Sequence, residues 1–224
     1  VNKSALRWSL VALIVVVGMI YALWPRDTNP GLQAPVGGLA TGQGPAAGSP
    51  GGSVASAEGL AALRERAQLA PCPTPDPGSP VPAGPLTGIV LECVADGSSI
   101  DVGQALAGKP ALINLWAYWC GPCAEELPYL QQYADTVADR LTVLTVHQDR
   151  NEGNGLAKLA DYGVSLPGVQ DEAGRIAAAV GAPPVLPVSI LIDADGNVAK
   201  VLPQPFRSVE EIADAVENDL GLAR

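Results

Sequence analysis

Two cysteines separated by Gly121-Pro122, at the point where a buried strand gives way to a helix, constrain this chain more than any other feature. Ala111–Trp116 is an apolar run of strand length. Residues 122–140 follow with helical spacing, Leu127, Leu130, Tyr133 (or Ala134) and Val137 sharing one face. Cys120 therefore falls at a helix N-terminus, where unpaired amides and the helix dipole favour a thiolate. Such placement lowers a thiol pKa into roughly the 3.5–7.5 range. Cys123 lies one turn further in and is the shielded partner. The asymmetry makes Cys120 the attacking nucleophile and Cys123 the resolving thiol. Pro122 suits a first turn, where no backbone donor is required.

Two other uses of the pair have to be weighed. A structural zinc site needs four ligands, and the remaining candidates are Cys72, Cys93 and His147, scattered along the chain. They would complete a site only by coincidence of fold, so no metal is expected. A purely structural disulfide between residues three apart closes a ring too small to brace anything. Redox chemistry is the reading that uses the position of the pair as well as its spacing.

The segments around it alternate. Residues 141–146, Val188–Ile192 and 197–202 read as strands, with a turn at Asp193-Ala194-Asp195-Gly196. Residues 156–162 and Arg175–Val180, the latter ended by Gly181, read as helices. A last helix runs to Leu220 from Ser208, with Glu210 and Glu211 in its first turn. A strand-helix-strand opening followed by a hairpin and a helix predicts an α/β fold, a mixed sheet with helices on both faces.

The N-terminal part is different. Trp8 to Trp24 carries no charge, and seventeen residues span about 25 Å as a helix, near the lower limit for a bilayer. Lys3 and Arg7 precede it, whereas Arg26 and Asp27 cancel. The positive-inside rule then places residues 1–7 in the cytoplasm, 8–25 in the membrane as a single-pass anchor, and everything after on the outside. The competing reading is a cleaved signal peptide, but Tyr21-Ala22-Leu23-Trp24 is a bulky cleavage site. Residues 26–57 form a Gly/Pro-rich linker, with 8 Gly and 4 Pro between Asp27 and Ala57. They have too few apolar residues to offset ordering. Residues 58–84 hold a short helix, with Leu60, Leu63 and Ala67 on one face and Pro71 ending it, then a Pro-rich stretch containing Cys72. Residues 85–224 are the domain. The chain carries −10 overall, and residues 81–224 alone hold 8 Lys+Arg against 19 Asp+Glu. This acidity argues against nucleic acid as a partner.

The stretch Asn114-Leu115-Trp116-Ala117-Tyr118-Trp119-Cys120-Gly121-Pro122-Cys123 resembles the active-site segment of thioredoxin-like proteins. Its continuation Ala124-Glu125-Glu126-Leu127-Pro128 is similar to the membrane-anchored TlpA/ResA branch, as is Val188-Ser189-Ile190-Leu191-Ile192-Asp193 after Pro187. The likeness covers about residues 88–220. In layout and in its second cysteine pair the chain also resembles actinobacterial envelope thioredoxins of cytochrome c maturation. The resemblance implies a thioredoxin-like fold with an N-terminal β extension. It implies a cis proline at Pro187 facing the active-site disulfide, with Leu186 offering backbone hydrogen bonds to a substrate strand. Glu126 matches the branch's glutamate, on the helical face of Cys123, and would exchange the Cys123 proton. Thioredoxin's own buried acid falls at Asn114 here, which leaves Glu126 as the proton carrier.

The implied activity is extracytoplasmic thiol-disulfide exchange, reducing disulfides of exported proteins such as apocytochrome c. The redox-active pair needs no cofactor, and electrons would come from a CcdA-type membrane protein. A disulfide-forming oxidant or isomerase, and a non-catalytic thiol or haem binding module, are the alternatives. Cys72 and Cys93 flank the entry to the domain and are expected to form a structural disulfide in an oxidising exterior, a second redox centre being the alternative. His147 is expected to be packed or solvated. Trp116 and Trp119 are expected to pack beside the site, with Trp119 shielding the thiols and bordering the substrate.

Overall fold

The computed structural model of the protein describes residues 56–75, 78, 80 and 82–223. The proposed anchor and nearly all of the linker lie outside them. Among the described residues no helix is long and apolar enough to cross a membrane.

The first element is helix α1, Ala57–Ala67, whose Ser56 side chain caps it by accepting from the Gly59 amide. Strands β1 (Val90–Cys93) and β2 (Ser99–Asp101) follow as an antiparallel pair, then a one-turn helix α2 (Val102–Ala105) capped by Asp101. Strand β3 is Ala111–Trp116 and leads into helix α3, Gly121–Val137. Strand β4 (Thr142–His147), helix α4 (Glu152–Tyr162) and strand β5 (Gly168–Gln170) come next. Helix α5 (Arg175–Val180), the hairpin of β6 (Val188–Ile192) and β7 (Val198–Leu202), and helix α6 (Val209–Leu220) complete the chain.

The seven strands form one mixed sheet in the order β2-β1-β5-β4-β3-β6-β7. Strands β3, β4 and β5 are parallel, β6 pairs antiparallel with β3, and β7 pairs antiparallel with β6. The β1–β2 pair on the β5 side is the expected N-terminal β extension.

Strand β3 is buried along its whole length, and its alternate residues serve two cores. Leu112 and Trp116 pack with Leu127, Leu130 and Val137 of α3, Leu159 of α4 and Ile212 of α6. Ala111, Ile113 and Leu115 pack on the other face with Val102 of α2 and Ile176 of α5. Helices therefore cover both faces, as the alternation of elements predicts. Asn114 shares its face with Leu112 and Trp116, two residues to either side, and this puts a polar side chain against α3 inside the core.

Several element ends differ from expectation. Helix α1 stops at Ala67, before Pro71, because Gln68 adopts a left-handed conformation with φ 49°. Helix α3 stops at Val137, where Ala138 takes φ 47° and a short 3-10 turn replaces the last predicted turn. Strand β4 runs one residue later than predicted, and α4 begins four residues earlier. Helices α5 and α6, strand β6 and the turn after it fall where the sequence places them.

Helix α1 packs Ala67 against Val94 and Leu156, with Leu60 and Leu63 alongside. Arg64 fixes it further, donating to the Val94 carbonyl at 3.0 Å, to Glu92 at 2.7 Å and to Glu152 at 2.8 Å. The Cys72–Cys93 disulfide then joins the segment after α1 to the end of β1. The pairing is the one expected at the domain entrance. Cys93 is fully buried.

Candidate active site

Helix α3 starts just beyond the C-terminal end of strand β3, so chemistry carried by its N-terminus opens at that end of the sheet. Cys120 is the N-cap residue, with extended backbone, and its sulfur accepts from the Cys123 amide at 3.2 Å. Pro122 sits in the first turn, where its missing N–H costs nothing. Cys120 and Cys123 are disulfide-bonded. Cys123 has no exposed surface, whereas Cys120 retains 6% and lines an open groove of about 630 Å³. The sequence-derived asymmetry between an approachable first cysteine and a shielded second one is present.

The groove separates the start of α3 from the loop that precedes β6. Trp119, Cys120 and Pro122 line it on the helix side, and Pro183, Val185 and Leu186 on the loop side. The Leu186–Pro187 peptide is cis, at the expected proline. Trp119 and Val185 are the exposed large apolar side chains of this groove.

Trp119 corrects one expectation. It does not fold down over the thiols but stands 61% exposed. The reason is polar: its indole Nε1 donates to Asp149 Oδ2 at 3.0 Å in the loop after β4. Trp116 is the tryptophan that packs, being 1% exposed in the core with Cys123.

Glu126 is more deeply placed than a partly buried carboxylate. It has no exposed surface and lies on the buried face of α3 three residues after Cys123. Its Oε2 accepts from Asn114 Nδ2 at 2.8 Å and its Oε1 from the Phe206 amide at 3.0 Å. Burial pushes its pKa up to about 7, and the two hydrogen bonds work in the opposite direction. A carboxyl poised there takes and releases protons near neutral pH. The exposed neighbour Glu125 has no such environment.

His147 is a packed residue, as expected. Its ring lies 4.9 Å from Trp116 between centroids, and Gly155 of α4 fits against it, since a Cβ there would come within 3.0 Å. Its Nδ1 bonds Gln170 Oε1 at 2.9 Å. Gln170 spends its Nε2 on the Asp149 carbonyl, so its oxygen faces the ring and His147 carries its proton on Nδ1. Burial lowers the His147 pKa despite that bond.

Three participants were not singled out from the sequence: Asp149, the Phe206 amide and Ser189, whose Oγ accepts from Asn114 Nδ2 at 3.2 Å. Asp149 and Phe206 reach the site from 30 and 80 residues away, one through a loop carboxylate and the other through backbone. Neither leaves a local pattern. Ser189 lies within the segment that carried the family likeness, directly opposite Asn114 in the β3–β6 ladder. Among the described residues no cluster of His, Cys, Asp and Glu could hold a metal ion.

The Redoxin family model matches residues 76–216. The chain is 31% identical over 108 residues to the thiol-disulfide oxidoreductase ResA of Bacillus subtilis, covering 48% of this chain and 59% of that protein. It is 31% identical over 107 residues to ResA of Halalkalibacterium halodurans, covering 47% and 60%. The chain thus spans about 60% of the length of the curated relatives it matches. Among solved structures, a DsbF homologue from Corynebacterium diphtheriae aligns with a TM-score of 0.54 at 21% identity, over 66% of this chain and 99% of that one. A secreted Mycobacterium tuberculosis disulfide oxidoreductase homologous to Escherichia coli DsbE aligns with a TM-score of 0.50 at 22% identity, over 69% and 98%. These likenesses establish a shared thioredoxin-like fold.

Proposed function

The chain is a TlpA/ResA-type member of the Redoxin family, and on that footing we propose that it is a thiol-disulfide oxidoreductase. One observation carries the reading. An approachable cysteine caps the active-site helix beside a cis-proline loop, and its shielded partner shares a helical face with a buried carboxyl poised near pH 7.

In the reducing direction both cysteines start reduced, Cys120 having given its proton to solvent and Cys123 keeping its own. The Cys120 thiolate, stabilised by the α3 N-terminus, attacks one sulfur of a substrate disulfide and releases the other as a thiolate. Cys123 gives its proton to Glu126, and its thiolate attacks Cys120 Sγ. The second substrate sulfur leaves as a thiolate, and the Cys120–Cys123 disulfide remains. Two electrons pass to the substrate, and the two released thiolates take up protons, one of them the proton that Glu126 held. The groove between Trp119 and Leu186 holds the substrate segment, with main-chain groups of Leu186 as its hydrogen-bonding edge.

The finer reading is an anchored enzyme. Residues 8–25 would hold it in the membrane with the domain outside, and residues 26–57 would let it reach exported proteins. Apocytochrome c is the proposed substrate and a CcdA-type membrane protein the proposed donor. The names of the ResA relatives support the chemistry, and the uncharged segment after Lys3 and Arg7 supports the placement. No cofactor is required beyond the cysteine pair.

The test has two parts. Insulin reduction by the reduced protein should depend on Cys120 and vanish in Cys120→Ser. Cys123→Ser should accumulate mixed disulfides through Cys120, and mass spectrometry of these should yield apocytochromes and a membrane thiol donor. A set of secreted proteins without cytochromes would replace the substrate proposal with general disulfide exchange. Insulin reduction that persists without Cys120 would sink the catalytic assignment.

A further inference from the structure

Strand β3 places Asn114 between two other side chains, Glu126 on α3 and Ser189 on β6. All three are fully buried. Asn114 has two N–H bonds on Nδ2, and the structure gives them two acceptors: Glu126 Oε2 at 2.8 Å and Ser189 Oγ at 3.2 Å. Its Oδ1 is buried with no hydrogen-bond partner. A side-chain amide can be turned end for end. The Ser189 hydroxyl is satisfied either way, because it donates as well as accepts, whereas an ionised Glu126 only accepts, so the carboxylate selects the orientation in which nitrogen faces it.

We propose that Asn114 is a positioning residue for Glu126, its side-chain amide supplying a buried donor that meets the carboxylate whenever it is ionised. The inference rests on the proton-carrier reading of Glu126 and explains how that group stays usable. A carboxyl sealed in apolar surroundings without donors would hold its proton through the neutral range and accept none from Cys123. A hydrogen bond to the charged form offsets part of that cost. An acid at position 114 would do the reverse, because a second negative charge beside Glu126 would trap a shared proton.

The other groups around Glu126 leave Asn114 as the adjustable partner. On α3 the titratable neighbours are Cys120, Cys123 and the exposed Glu125. Strands β3 and β6 present the neutral Asn114 and Ser189. The loop before α6 presents the Phe206 amide, and Arg207 beyond it is exposed, its own amide bonded to Glu211. The Phe206 donor is backbone, which a side-chain substitution leaves in place.

The experiment is a carboxyl-carbon NMR titration of Glu126 in the full chain, its signal assigned by loss in Glu126→Gln. Asn114→Leu keeps the volume and removes the donor. It should raise the proton affinity of Glu126 about tenfold, and a rise under about threefold overturns the proposal. Asn114→Ala removes the donor without the bulk of Leu. It should raise the affinity in the same direction by about threefold or more, and a rise under about twofold, or a fall, overturns the proposal. If Asn114→Leu does not fold, Asn114→Ala decides alone. The titration needs no turnover. Absence of Cys120-dependent insulin reduction would defeat the proposed function while leaving this result standing, and an unmoved titration in an active protein would defeat the positioning role alone.

Discussion

The Trp119 indole and the Asp149 carboxylate form a 3.0 Å hydrogen bond that ties the residue beside Cys120 to the loop after β4. Asp149 is itself held. Its other oxygen accepts from the Asn151 amide at 2.8 Å and from the Asn151 side chain at 3.0 Å, and its carbonyl accepts from Gln170. Burial raises its pKa, but these hydrogen bonds outweigh it and hold the carboxyl below the usual range. The exposed wall of the groove is thus fixed by a charged acceptor that stays ionised through neutral pH.

Asp149→Ala should therefore loosen Trp119 without touching the cysteines. Loss of one hydrogen bond to a charged group, about 1–2 kcal/mol, should appear as a KM for insulin raised about five- to thirtyfold. A small aromatic disulfide reagent, which needs no groove, should be reduced at the parent rate. Equal losses on both substrates would mean that Asp149 acts on the cysteine pair instead.

The cysteine pair was legible because strand, turn and helix each have their own pattern and the cysteines sit at their junction. Pro187 was legible through the family resemblance, which places a cis proline just before this apolar strand. The short strands β1, β2 and β5 were not located, because three or four residues show too few alternations to establish a period. They are strands because neighbours pair with them. Trp119 was misplaced for a related reason. A tryptophan beside a buried strand is ordinarily core, and its partner Asp149 is 30 residues away. The depth of Glu126 also came from afar, through the Phe206 loop that closes over it.

Cys72 and Cys93 should behave as structure and not as chemistry. Their disulfide closes a loop of 21 residues against a fully buried sulfur-bearing residue at the end of β1. Replacing both with Ser should cost about 3 kcal/mol in urea unfolding, on the chain-entropy account, and leave Cys120-dependent insulin reduction unchanged. A fall in turnover of the folded double variant would instead make the pair a second redox centre.

Arg64 should control how firmly α1 is held. It joins α1 to the Val94 carbonyl, Glu92 and Glu152, and its removal strands a largely buried Glu152 carboxyl. Burial already raises the pKa of Glu152, against the pull of Arg64. Arg64→Ala should cost about 1–3 kcal/mol, and limited proteolysis should cut in the α1 segment before the rest of the domain opens. Parent-like resistance at α1 would show that the Ala67–Val94–Leu156 contacts suffice.

Glu126 should leave a signature in stability as well as in turnover. Burial pushes its folded pKa up to about 7 from an ordinary 4.5, so between those pH values the folded protein binds more protons than the unfolded one. Stability from this group is therefore full below about pH 4.5 and falls as pH rises through about 7, by about 3 kcal/mol in all. His147 contributes the opposite slope, because its buried ring resists protonation and loses stability as pH falls. The comparison that isolates Glu126 is with Glu126→Gln, measured as urea midpoints of the oxidised protein from pH 5 to 8. The variant should gain on the parent from pH 5 to about 7 and keep that advantage above it. A constant difference between the two would mean that Glu126 titrates as an ordinary carboxylate, and with that its role as the proton carrier for Cys123 would fall.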